Sequence, residues 1–168
     1  TAELNENAFT SEETVTAESS YTLVVRDIAG NRTTVNFVID KTAPIVDGVV
    51  EGINYNSDVT ITFNEGTAEL NGNTFTSGET VTTEGSYTLV VRDAAGNSTT
   101  VNFVIDKTDP VIAGVEQGKV YNVDVIITFN EGTAELNGTS FTSGSTVSEE
   151  RHHSIVVTDI AGNSTTVV

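Results

Sequence analysis

The sequence predicts an all-β protein assembled from tandem β-sandwich modules, and three observations predict it. The pentapeptide Thr-Ala-Glu-Leu-Asn begins at residues 1, 67 and 133, which sets a period of 66 residues. Apolar and polar residues alternate with period two in several runs, the pattern of a strand with one buried face. No segment carries a sustained apolar stripe at 3.6-residue spacing, so almost no helix is expected.

The period comes first, because self-similarity at 20–50 residues or more marks repeat architecture. Residues 1–44 and 67–110 agree at 36 of 44 positions. The only two prolines, Pro44 and Pro110, end the segments Asp40-Lys-Thr-Ala-Pro44 and Asp106-Lys-Thr-Asp-Pro110. Proline fixes its own φ and drives the preceding residue extended, so these segments are boundaries. They divide the chain into an incomplete first copy, 1–44, a complete second copy, 45–110, and a third copy, 111–168. The first lacks the opening 22 positions of the repeat and the third lacks the closing 8, so a longer array is expected.

The strands follow in order along the second copy. Val59, Ile61 and Phe63 alternate with Thr60, Thr62 and Asn64. Weaker candidates lie at Ala68 to Leu70, Thr74 to Phe75 and Val81. Tyr87, Leu89 and Val91 then alternate with Thr88, Val90 and Arg92, and Val101, Phe103 and Ile105 close the series. Between the last two runs stands Asp93-Ala-Ala-Gly96-Asn97, repeated as Asp27 to Asn31 and Asp159 to Asn163. Asp hydrogen-bonds forward to the turn backbone and Gly accepts positive φ, so this is a hairpin turn with Asp as its cap. Six or seven short strands in one period suit a small sandwich, each module being about 25–35 Å long.

Composition narrows the function. Seven Lys plus Arg stand against 24 Asp plus Glu, a net charge of −17. Nucleic acid is not an expected partner, since phosphate recognition needs clustered cations. The absence of cysteine removes disulfides and thiolate chemistry. No apolar run approaches the roughly 20 residues of a membrane helix, so no membrane insertion is expected in this segment. A hydrophobic share of 37% in a strongly patterned arrangement argues against disorder.

Gly85-Ser-Tyr87-Thr-Leu89 resembles the Gly-x-Tyr-x-Cys pattern of immunoglobulin-type domains, with Leu89 standing where the second cysteine stands. Ile61 is the apolar counterpart of the other cysteine. The third copy departs, with Arg151, His153 and Ile155 replacing Gly, Tyr and Leu. Residues 87–108, with the Asp-x-Ala-Gly-Asn hairpin followed by Asp-Lys-Thr-x-Pro, resemble bacterial Ig-like repeats of cell-surface, S-layer and adhesin proteins. The resemblance implies tandem immunoglobulin-like sandwiches in an exported, extended bacterial protein and carries no particular activity with it; a non-enzymatic chain is expected because catalytic motifs are lacking. It implies a structural repeat, acting as an extended spacer or stalk or as a fibre- or lattice-forming segment. Its partners would be neighbouring modules or identical subunits, including by strand complementation at the incomplete copies. The alternative is an adhesive module binding a host surface or carbohydrate, with the third copy as the differentiated one.

The site candidates are few. His152 and His153 are adjacent, so on a strand they would face opposite sides and not converge. No nucleophile elbow, phosphate loop or His-rich metal signature occurs, and no catalytic residue, cofactor or metal ligand is assigned. Calcium at the module junctions is the alternative cofactor, with Asp40, Asp47, Asp93, Asn97, Asp106 and Asp109 as oxygen donors. Tyr55 and Tyr121 are the aromatics expected at the surface, as candidates for stacking on sugar.

Overall fold

The computed structural model describes all 168 residues and contains strands and turns with no helix. In the first copy, β1 (Ala2–Leu4), β2 (Asn7–Ala8), β3 (Ser19–Arg26) and β4 (Arg32–Ile39) form one sheet in the order β2-β1-β3-β4. The β3–β4 hairpin is antiparallel over eight residue pairs, from Ser19 with Ile39 to Arg26 with Arg32. No residue before Pro44 is buried, because no second layer covers this sheet.

The second copy is a two-layer sandwich. Its strands are β5 (Val46–Asp47), β6 (Asn54–Tyr55), β7 (Val59–Thr60), β8 (Thr62–Phe63), β9 (Thr67–Leu70), β10 (Asn73–Phe75), β11 (Thr80–Val81), β12 (Gly85–Arg92) and β13 (Ser98–Ile105). One layer has the order β10-β9-β12-β13-β6, and the other consists of the pairs β11-β7 and β5-β8. All pairings are antiparallel except β6 on β13, which is parallel at Asn54 with Val104 and Tyr55 with Ile105. The inward residues of the large sheet, including Leu89, Val91, Phe103 and Ile105, meet Val49, Val59, Ile61 and Val81 of the opposite layer. Period-two alternation thus becomes one buried face per strand. Leu89 and Ile61, the counterparts of the missing cysteines, are both fully buried.

The run Val59–Phe63 is not one strand as the alternation predicts. It divides at Ile61, because β7 pairs with β11 while β8 turns to β5 on the other side. Ile61 keeps its own bonds, with Glu79 O at 3.1 Å and Gly78 N at 2.8 Å. The weaker candidates at 68–75 form a tight hairpin about Asn71 and Gly72, at φ 49° and 77°. Both central residues must be left-handed in such a turn, which is what Asn-Gly supplies.

In the third copy, β14 (Ile112–Ala113), β15 (Val125–Phe129), β16 (Thr133–Leu136), β17 (Thr139–Phe141), β18 (Ser145–Val147), β19 (Ile155–Thr158) and β20 (Ser164–Val167) form two layers, β14-β15-β18 and β17-β16-β19-β20. Its core of Ile127, Ala134, Ile155 and Val157 is separate from that of the second copy. No strand forms at Val120 and Tyr121, the counterparts of Asn54 and Tyr55.

Candidate functional site: the joints between repeat copies

The Asp-x-Ala-Gly-Asn turn is built as the sequence predicts. Asp93 Oδ1 accepts from the backbone N–H of Gly96 at 2.7 Å and of Asn97 at 2.8 Å. Asn97 Nδ2 donates to Asp93 Oδ2 at 2.8 Å. Asp159 and Asn163 repeat this, and both are buried, at 8% exposure each. Burial pushes the Asp159 carboxyl up, but donors from the Asn163 side chain and from the backbone of Asn163, Gly162 and Ala161 outweigh it and hold the group below its ordinary range. Asp93 behaves in the same way and for the same causes. At Asp27 the Asn31 side chain is the foremost cause of the lowering.

Asn97 has a second N–H, and it donates to the carbonyl of Asp40, 57 residues earlier, at 3.2 Å. Thr99 donates its hydroxyl to the carbonyl of Pro44. Both acceptors belong to the segment between the first and second copies. The next junction repeats the arrangement: Asn163 donates to Asp106 O at 2.8 Å and Thr165 to Pro110 O. Pro44 and Pro110 are buried. Each hairpin therefore grips the segment that leads into its own copy.

The preceding copy grips the same segment from the other side. Glu18 accepts from the backbone N–H of Lys41 and, at 3.0 Å, from the hydroxyl of Thr42. Lys41 Nζ donates to Thr16 O at 2.6 Å. Glu84, Lys107, Thr108 and Thr82 reproduce these contacts at the second junction, where Lys107 Nζ also meets Asp58 Oδ1. The carboxylates of Asp40 and Asp106 are turned back on Thr42 N and Thr108 N, at 3.0 and 3.1 Å. A five-residue connection with anchors on both sides has lost most of the torsional freedom that makes a linker flexible.

The other candidates fall as follows. The junction carboxylates do not gather into a group of three or more that could hold a metal, because those of Asp40, Asp93 and Asp106 face their own turns. Tyr55 is not a free surface aromatic. Its ring packs edge-on against Phe103 at 6.2 Å and its hydroxyl accepts from Val50 N at 2.9 Å. Tyr121 is likewise half-buried and accepts from Glu116 N at 2.9 Å. His152 and His153 lie outside any strand, so they do not alternate across a sheet. His153 takes the tyrosine's role instead. Tyr21 and Tyr87 donate to the carbonyl four residues upstream, at 2.9 and 2.7 Å. His153 Nε2 lies 2.9 Å from Glu149 O, and Nδ1 lies 3.0 Å from Asn137 Nδ2. Arg151, His152 and His153 border a cavity of about 950 Å³ in the third copy.

No protein-family model matches the chain. It is 37% identical over 100 residues to the outer cell wall protein of Brevibacillus brevis, covering 51% of this chain. The chain spans about 10% of the length of that relative. Among solved structures, the Bacteroides ovatus protein SGBP-B of a mixed-linkage glucan utilization locus, in complex with a mixed-linkage heptasaccharide, covers 97% of this chain and 54% of its own at 15% identity. Its TM-score is 0.26, an overlap too small to carry an argument about either fold or function.

Proposed function

We propose that this chain is a non-enzymatic structural segment of a bacterial cell-surface protein, in which immunoglobulin-like copies at 1–44, 45–110 and 111–168 are held end to end as a stiff spacer. The observation that carries the reading is the pair of joints, each anchored by the same side chains on both sides of its linker. The likeness to an outer cell wall protein supports the surface location. A passive stalk and a wall- or fibre-forming segment both need a fixed direction from one copy to the next, and the clamped linkers supply it. Small-angle scattering from the chain in solution tests this. A rigid rod-like profile, unchanged between low and high salt, is expected. A profile that needs an ensemble of bent forms would sink the reading.

A second reading, the third copy as an adhesive ligand-binding module, draws on Arg151, His152 and His153, which stand where the second copy has Gly85, Ser86 and Tyr87. A glycan array probed with the chain tests it, with binding lost in Arg151→Ala and His152→Ala as the required result.

A further inference from the structure

Two of the chain's 7 Lys and Arg stand face to face. Arg26 ends β3 and Arg32 begins β4, and the register sets them directly opposite. Tyr87, Leu89 and Val91 turn toward the core of the second copy, so the alternate position turns outward, Arg92 there and Arg26 here. Arg32, as the cross-strand partner of Arg26, lies on that same outer face. Arg26 N donates to Thr1 O on the far side of β3 at 2.8 Å, and the next pair along the hairpin is bonded, Asp27 N to Asn31 O at 3.1 Å. Bonded and unbonded pairs alternate in an antiparallel ladder. Arg26 and Arg32 are therefore an unbonded pair, the kind that brings side chains closest, with Cβ atoms about 4.5–5.5 Å apart.

No carboxylate answers this charge. Neither guanidinium makes an ion pair, and the ion pairs of the chain are those of Lys107, Lys119 and Arg151. Both oxygens of the adjacent Asp27 are engaged by Ala29 and Asn31. Glu3 lies on the outer face opposite Val24, one pair away. Like charges directly opposite destabilise a strand pair, and the fold does not require them, since the same positions hold Arg92 with Ser98 and Thr158 with Ser164. The exposure of the pair does not depend on the first copy's place in the chain. Arg92 and Ser98 are exposed although a copy precedes them, so a joint leaves this position uncovered.

A single guanidinium fork uses both oxygens of a carboxylate, whereas a tetrahedral dianion has oxygens for two forks. A second copy of this chain, at −17, is also repelled as a whole. We infer that Arg26 and Arg32 together bind a dianionic phosphoryl group, presented as inorganic phosphate or as the phosphate monoester of a sugar. The site stands apart from the stiffness of the joints.

The whole 168-residue chain is titrated with sodium phosphate and, separately, with glucose 6-phosphate, followed by NMR of the arginine Nε–H groups and the backbone amides. The titration is run at about pH 8, where the phosphoryl group is dianionic, and at low ionic strength, where exposed charges are little screened. Saturable shifts are expected at Arg26 and Arg32, with a Kd on the order of millimolar. Arg32→Ser, which gives the first copy the second copy's own residue, should weaken binding by about 10-fold or more. Ser98→Arg should create a second site at Arg92. Tighter binding of glucose 6-phosphate assigns the ligand to a sugar ester, and equal binding assigns it to the free ion. The inference is overturned if shifts do not saturate by about 50 mM phosphate, or if Arg32→Ser binds equally. It is also overturned if sodium chloride at matched ionic strength gives the same shifts, or if acetate binds as tightly. None of these outcomes alters the scattering profile of the joints, so the two readings fail separately.

Discussion

The joint between the second and third copies should loosen by a calculable amount when its neutral hydrogen bonds are removed. Thr165→Val deletes the hydroxyl that reaches Pro110 O, and leaves the Asp159 turn intact. Asn163→Ala deletes the 2.8 Å bond to Asp106 O and also the 2.7 Å bond to Asp159 Oδ2. A neutral hydrogen bond contributes about 1 kcal/mol net. Losing the two linker bonds therefore costs about 2 kcal/mol, a roughly 30-fold rise in the released fraction of the joint. The bond to the carboxylate is worth somewhat more, about 1.5–3 kcal/mol, but that loss falls on the third copy's own stability. The chain has no cysteine, so exposed Ser86 and Ser140 can be replaced by Cys and spin-labelled cleanly. Pulsed electron-spin distance measurements on the parent should give one narrow distribution. Thr165→Val should add a minor broad component, and the double variant with Asn163→Ala a dominant one. Equal widths in parent and double variant would refute the clamp, as would a parent distribution that is already broad.

Acid should weaken the turns. The Asp27, Asp93 and Asp159 carboxyls sit below their ordinary value of 3.8 in the folded chain, so their contribution is complete above that value and is lost as pH falls through the lowered one. Melting temperature should drop steeply below about pH 4, and Asp159→Asn should flatten that slope for the third copy, as read by calorimetry. Gly48→Ala should destabilise the second copy by about 2 kcal/mol or more in urea titration, because φ there is +94° and an added Cβ would meet Thr60 O at 2.0 Å. Val91→Ala and Val25→Ala compare one strand sequence in two settings. Val91 is fully buried and should cost about 2 kcal/mol, while Val25, 44% exposed, should cost under about 1 kcal/mol.

The sheet was legible where information is local. Tyr87, Leu89 and Val91 show their buried face by alternation alone, and Asp93, Gly96 and Asn97 announce a turn by chemistry within five residues. The joint was not legible, because its partners lie far apart: Asn97 and Asp40 are 57 residues apart, and Glu18 and Lys41 are 23 apart. Nothing in the residue type of Asn97 says that its second N–H leaves the turn. Ile61 misled for a different reason. Alternation reports which face is buried, but not where a strand changes partner. Burial in the first copy was legible from the period, since the 22 repeat positions that cover Leu89 in the second copy have no counterpart within residues 1–44 to cover Leu23. The 66-residue offset placed His153 where Tyr87 stands, but residue type alone did not show that an imidazole nitrogen makes the bond that the phenol makes.

Two mechanisms can hold a strongly acidic array extended, and the joint separates them. With a net charge of −17, mutual repulsion would straighten even a free linker at low salt. That force has a range of about 10 Å at 0.1 M salt and falls away above it. The bonds from Asn97, Thr99, Asn163 and Thr165 run from neutral donors to backbone carbonyls, and carry no net charge to screen. The anchors from the preceding copy are charged groups, Glu18, Lys41, Glu84 and Lys107, and the exposed ion pair among them, Lys107 with Asp58, is of the surface kind that contributes about 0–1 kcal/mol. On the proposed reading, direction is fixed by short-range contacts and spacing is reinforced by charge. A chain relying on repulsion alone would have no need to place the same Asn and Thr, 66 residues apart, against the same two linker carbonyls.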